Sequence, residues 1–154
     1  MKLSTKSRYG VRALFDIAYH GGRGAVQIKD IARRQAISSR YLEQIFISLK
    51  QAGLLRSQRG PQGGYTLTRT AEEITVAEIV TATEGEIALV ACAGKGNTHE
   101  VCHLYAECVT RRLWEESSAL LTEYFSSITL RDLCRDGENL GLDRELGAGG
   151  IFYI

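Results

Sequence analysis

Residues 37–53 read Ile37-Ser38-Ser39-Arg40-Tyr41-Leu42-Glu43-Gln44-Ile45-Phe46-Ile47-Ser48-Leu49-Lys50-Gln51-Ala52-Gly53. Tyr41, Leu42, Ile45, Phe46 and Leu49 recur at threes and fours, the spacing of one apolar helix face. Ser38 or Ser39 can cap the start, and Gly53 supplies a left-handed stop. Ser39, Arg40, Glu43, Gln44 and Lys50 lie off the apolar face. These are side chains that can address base edges: Arg bonds guanine, Gln bonds adenine and Glu accepts from cytosine N4.

Upstream, Gln27 to Arg34 forms a shorter helix with Ile28, Ile31 and Ala32 on one face, and Lys29, Arg33 and Arg34 elsewhere. Ala36-Ile37-Ser38 is a short turn, so the pair reads as a helix-turn-helix. Before it, Thr5 to about Tyr19 has Tyr9, Ala13, Leu14, Ile17 and Ala18 at helical spacing, with Thr5 as a plausible cap. Gly21-Gly22-Arg23-Gly24 ends that helix.

Downstream, Leu54–Gln58 and Tyr65–Thr68 read as two short strands around Arg59-Gly60-Pro61-Gln62-Gly63-Gly64. The only proline of the chain sits there among glycines, which is hairpin chemistry. A hairpin after a recognition helix is a wing. Arg59 at its tip is placed for a minor groove, whose negative potential attracts a guanidinium. The expected DNA-binding set is Ser38, Ser39, Arg40, Tyr41, Glu43, Gln44, Lys50, Arg59 and Gly60. Within it, Tyr41 belongs more to the core than to a base-stacking platform.

Charge follows the same division. Residues 1–70 carry 13 Lys or Arg against 3 Asp or Glu, a net of +10. Residues 71–154 carry 6 against 15, a net of −9. The overall +1 hides a polyanion-binding half joined to an acidic one. At 154 residues with 44% hydrophobic and 24% charged residues, the chain has ordinary globular composition. No apolar run approaches the ~18 residues of a membrane span, and residues 1–8 lack a signal-peptide core. A cytoplasmic location with no membrane partner is therefore expected.

In the acidic half, Thr75-Val76-Ala77-Glu78 has capping-box spacing, opening a helix to about Thr83. All four cysteines follow: Cys92, Cys102, Cys108 and Cys134. The first three fall within 17 residues, around the loop sequence Gly94-Lys95-Gly96-Asn97. In a cytosolic chain, clustered thiols point to metal or redox chemistry. Thiolates suit zinc, Cu(I) and iron–sulfur clusters alike, and reduced redox-active thiols or packed inert ones remain alternatives. From Thr110, Leu113, Trp114, Ser117, Leu120, Leu121, Tyr124, Phe125 and Ile128 repeat for about five helical turns. Packing on the first helix is the default for this face. A helix pair across a twofold axis is the sharper reading, because dimers match palindromic operators. Thr129-Leu130-Arg131-Asp132-Leu133 begins a last short helix, and the tail 137–154 has five glycines and little periodicity.

The stretches Leu3-Ser4-Thr5-Lys6-Ser7-Arg8-Tyr9-Gly10-Val11-Arg12-Ala13, Ile37 to Gln44 and Arg59 to Tyr65 resemble the winged-helix regulators of the IscR/NsrR type. Leu113-Trp114 and Ile128 to Leu133 extend the resemblance to roughly residues 1–135. It implies a homodimeric transcription factor with a cysteine-bound iron–sulfur cluster, 2Fe–2S first and 4Fe–4S as the alternative. By the same resemblance, Glu43 and Gln44 fall where the family reads bases, Arg59 where its wing enters the minor groove, and Cys92, Cys102 and Cys108 in the ligand loop. A cluster usually takes four protein ligands. Where the family places its fourth, this chain has Arg111 or Arg8, and a guanidinium cannot ligate. His103 is the leading substitute, with His99, Glu107 and Cys134 as alternatives.

The expected fold is mainly α: a winged helix-turn-helix (1–70) with a two-stranded β wing, a connecting helix (71–90), a cysteine loop (91–109), a long C-terminal dimerisation helix with a short final helix (110–136), and a flexible Gly-rich tail (137–154). The expected function is a dimeric regulator that binds a palindromic double-stranded operator under control of the cluster or of cysteine redox state. A zinc-stabilised module without sensing and a cluster-free thiol regulator are the alternatives. No C-x-x-C, phosphate-binding Gly-rich motif or Ser/His/Asp setting supports an enzyme, and no small-molecule substrate is expected.

Overall fold

The computed structural model describes residues 3–22, 24–94, 102 and 104–145. Helix α1 (Thr5–His20) is the central element, packed against four other helices. Its cap is Ser4 rather than Thr5. The Ser4 hydroxyl accepts from the Lys6 N–H at 3.0 Å, and Thr5 is already helical. Ala13, Leu14 and Ile17 line its buried face, as their spacing predicts.

Helices α2 (Ile28–Gln35) and α3 (Ser39–Gln51) form the helix-turn-helix. Ala36 takes the left-handed conformation (φ 52°) that turns the chain between them. Ser38 is the cap of α3, accepting from the Tyr41 N–H at 3.3 Å. Leu42, Ile45, Phe46 and Leu49 are buried, and Gly53 (φ 71°) ends the helix.

Strands β1 (Leu55–Gln58) and β2 (Gly64–Leu67) pair antiparallel, with Leu55 opposite Leu67 and Gln58 opposite Gly64. Two further bonds tie the wing to the segment before α2. The Val26 N–H donates to Tyr65 O at 2.9 Å, and the Tyr65 N–H to Val26 O at 2.8 Å. The chains approach so closely there that a Cβ on Gly64 would lie 2.4 Å from Val26 O.

Helix α4 (Val76–Glu84) starts at the predicted capping box. The Glu78 N–H donates to Thr75 Oγ1 at 3.3 Å, and the Thr75 N–H to Glu78 Oε2 at 3.0 Å. A second box, Thr129 with Asp132, opens the final helix. The two caps sit back to back: the Val76 N–H donates to Ile128 O and the Leu130 N–H to Ile74 O, both at 2.9 Å. Helix α5 (Arg111–Ser127) rests on α4 and on a 3-10 turn at Ala91–Ala93, not on α1 as the default reading has it. Helix α6 (Leu130–Asn139) takes the α1 contact instead, close enough that a Cβ on Gly137 would meet the Phe15 and Tyr19 rings at 3.2 Å. It runs three residues past the expected end at 136. One core joins α1, α2, α3, β1 and α4 with Leu130 of α6. Among the described residues no helix is long and apolar enough to cross a membrane.

Candidate functional site

The outer face of α3 and the wing are presented on the same basic half. Ser38, Arg40, Glu43, Gln44 and Lys50 are exposed, and Ser39 is half-buried at the first turn. Arg59 and Gly60 are exposed at the wing tip, where Gly60 has φ 115°, a conformation that favours glycine. Tyr41 is the exception in the predicted set. Its ring meets Tyr9 edge-on at 5.8 Å and packs against the core, as a structural tyrosine does. Lys50 is lightly engaged, its Nζ donating to Ser57 Oγ on β1 at 3.3 Å.

Helix and wing are held as one unit by aromatic packing. The Phe46 and Tyr65 rings meet edge to face with centroids 4.6 Å apart. Phe46 lies on the inner face of α3 and Tyr65 on β2, so the spacing between the outer face of α3 and the wing tip depends on this contact. Arg12 reinforces α1 against α2, its Nε donating to Gln35 Oε1 at 3.2 Å and its guanidinium lying over the Tyr9 ring at 5.4 Å.

Of the two arginines off the apolar face of α2, Arg34 does not face solvent. Its side chain is about nine-tenths buried and chelates Asp16, which is wholly buried on α1. Gln35 Nε2 donates to the same carboxylate at 2.9 Å. The reason is electrostatic: a carboxylate on the inner side of α1 needs a charged or hydrogen-bonding partner, and α2 supplies both. The sequence carries a signal that Asp16 is buried, though not of its partner. Asp16 lies between the core positions Leu14 and Ile17, and it is the only acidic residue before Asp30. Arg33 stays exposed and pairs with Glu145.

Glu145 belongs to the segment after α6. The Tyr19 hydroxyl donates to Leu142 O at 2.7 Å, the Glu145 N–H donates to His20 Nδ1 at 3.0 Å, and Arg144 lies over the Tyr19 ring at 4.8 Å. Residues 142–145 are thus strapped onto α1 and α2, which their glycine-rich setting did not announce. Residues 146–154 lie outside the described residues.

Cys92, Cys102 and Cys108 are free and half-buried, in the stretch that leads from α4 to α5. Cys92 is in the 3-10 turn, and Cys102 O accepts from the Tyr105 N–H at 3.1 Å. The Cys108 thiol sits 3.3 Å from Thr110 Oγ1. That hydroxyl, with the Thr110 and Arg111 backbone, favours the thiolate and lowers its pKa. Arg111, the residue in the family's ligand position, has a structural task. It donates to Tyr105 O at 3.3 Å and lies over the Tyr105 ring at 4.6 Å, pinning the turn between Cys102 and Cys108 to α5. The Leu89 N–H donates to Ser118 Oγ at 3.0 Å, a second tie to that helix.

The donor types suit a soft metal or an iron–sulfur cluster. The geometry is not assembled: among the described residues no three His, Cys, Asp or Glu side chains converge as a metal site. His99 and His103 lie outside the described residues. Glu107 is exposed in the turn that precedes Cys108. Cys134 is buried on α6, and burial pushes its pKa up, which suits an inert packed thiol better than a ligand.

Helix α5 shows two faces. Leu121, Phe125 and Ile128 are half-buried, whereas Leu113, Leu120 and Tyr124 are more than half exposed, with Trp114 beside them. Leu113, Leu120 and Tyr124 form one outward stripe that the described chain leaves exposed.

Comparison with known proteins agrees with this architecture. The profile of the Rrf2 family, described as an iron-dependent transcriptional regulator, matches residues 3–136. The transcriptional regulator IscR of Vibrio campbellii is 39% identical over 146 residues, 94% of this chain and 84% of that protein. The solved structure of T. potens IscR superimposes with a TM-score of 0.73 at 38% identity, covering 94% of this chain and 93% of the other. The oxidised form of Staphylococcus aureus CymR superimposes with a TM-score of 0.66 at 32% identity, covering 87% and 96%. These relatives are named regulators rather than enzymes, and the winged-helix fold is the one expected. The chain belongs to the Rrf2 family of transcriptional regulators.

Proposed function

We propose that the protein is a homodimeric DNA-binding regulator whose operator affinity is set by the state of its cysteine segment. Two copies join through the outward stripe of α5, which gives a twofold arrangement suited to a palindromic operator. In each copy α3 enters the major groove with Arg40, Glu43, Gln44 and Lys50, and the wing carries Arg59 and Gly60 to the adjoining minor groove. The observation that carries this reading is the polar, basic outer face of α3, exposed beside an anchored wing.

Cys92, Cys102 and Cys108 would hold an iron–sulfur cluster, 2Fe–2S first and 4Fe–4S second, with His103, His99, Glu107 or Cys134 to complete it. A bound cluster supplies a centre that responds to iron, oxidants or nitric oxide. The chain supplies the route to DNA. The cysteine segment is tied to α5 through Ser118 and Arg111, α5 rests on α4, and α4 packs on both α1 and α3. The effect on DNA is then a difference in affinity between two states.

A second reading has a specific observation behind it. The three thiols are free and do not converge, which suits oxidation of cysteines without any cluster. The likeness to a CymR solved in an oxidised form supports the same reading. Iron, sulfide and zinc counts on anaerobically purified protein separate the cases. Iron with acid-labile sulfide supports the cluster, zinc alone a structural metal, and neither supports thiol sensing.

A further inference from the structure

One residue on the outer face of α3 is apolar. Ile47 is 58% exposed. It follows Glu43 by four residues and Gln44 by three, and precedes Lys50 by three, so all share one stripe of the helix. The opposite face is filled by Leu42, Ile45, Phe46 and Leu49, which leaves Ile47 no way into the core. A single exposed isoleucine on an ordinary surface needs no explanation. This one lies inside the span from Ser38 to Lys50, among the side chains aimed at base edges. DNA entering that face would strip its water. A β-branched side chain in a helix is also restricted to essentially one rotamer, so Ile47 offers its methyl groups in a set direction.

Among the groups that base pairs display in the major groove, only the thymine 5-methyl is apolar. A polar edge set against Ile47 would lose water and receive no hydrogen bond in return. Resting on the reading of α3 as the recognition helix, we propose that Ile47 is a specificity-determining residue that packs against a thymine 5-methyl group of the operator. It adds an apolar requirement to the hydrogen-bonding code of Arg40, Glu43 and Gln44.

The test uses the full-length protein to enrich duplexes from a random pool. Each thymine of the enriched site is then replaced in turn by deoxyuridine, which lacks only the 5-methyl. At one thymine per half-site, wild-type binding should weaken about fourfold, the equivalent of ~0.8 kcal/mol for one buried methyl. Ile47→Ser, a change outside the core that removes the contact from both half-sites, should bind the thymine duplex about sixteenfold less tightly and treat thymine and uracil alike at that position. Gln44→Ala should keep the uracil penalty there. Identical uracil profiles for wild type and Ile47→Ser at every thymine overturn the proposal and leave the recognition-helix reading standing. If no duplex is enriched, that reading falls and the proposal falls with it.

Discussion

Arg34 grips the Asp16 carboxylate through the Nε–Nη2 edge of its guanidinium, with Nε 3.0 Å from Oδ2 and Nη2 2.6 Å from Oδ1. This buried pair fastens α2 to α1 and so sets the platform from which α3 projects. Removing one partner leaves a buried charge uncompensated, which costs about 3–5 kcal/mol. Asp16→Ala and Arg34→Met should each lower stability by about that amount in urea denaturation. The combined Asp16→Leu, Arg34→Met variant should recover most of the loss. Additive losses in the combined variant would show that the pair is not a unit.

His20 makes stability depend on pH. Burial lowers its pKa, the Arg34 charge lowers it further, and the Asp16 and Glu145 charges oppose them. The unfolded chain therefore binds its proton near the ordinary value of 6.5, while the folded chain resists until lower pH. Stability from this site is complete above the unfolded value and is lost as pH falls below it. Protonation also removes the Nδ1 acceptor that holds the Glu145 N–H. Thermal melts from about pH 7.5 to about pH 5.5 should show this loss, and His20→Gln should flatten that part of the profile. Parallel profiles for the two proteins would contradict it.

Arg59 sits at the exposed wing tip, away from the core. Arg59→Ala should leave the melting temperature unchanged while weakening operator binding. If the contact is to the phosphate-lined minor groove, the slope of log affinity against log salt should shrink by about one. Equal affinity at matched salt removes the wing from the interface.

Leu120 and Tyr124 are the exposed apolar residues at the middle of α5. A carboxylate placed in a dry helix–helix interface is strongly unfavourable. Leu120→Glu should therefore shift sedimentation equilibrium from dimer to monomer. It should also weaken binding to a two-half-site duplex far more than to a single half-site. An unchanged dimer would move the interface elsewhere.

Local periodicity made the winged helix legible. The Leu42, Ile45, Phe46 and Leu49 stripe, the Gly53 stop, the Thr75–Glu78 box and the proline-containing hairpin each depend on neighbours a few residues away. What the sequence concealed depends on distant partners. Asp16 meets Arg34 across 18 residues, and Tyr19 meets Leu142 across 123. Neither spacing has a period. The long helix shows the same division: its apolar positions were readable, but only packing decides that Leu121 turns inward and Leu120 outward. The cysteine segment was readable as chemistry and not as geometry, since three thiols in 17 residues say nothing of how the chain curls. Ile47 was hidden by its company, because an apolar residue near an apolar stripe looks like core until its exposure is known.

If the cysteine segment controls operator affinity, its chemical state must change binding to DNA. The direct measurement is the Kd of anaerobically purified protein for its enriched operator, before and after the cysteines are stripped of metal and oxidised. The Cys92→Ser, Cys102→Ser, Cys108→Ser triple variant serves as the reference. The expected result is a change of about fivefold or more in the wild type, the usual scale of allosteric coupling, and none in the triple variant. The same Kd before and after treatment in the wild type would contradict it.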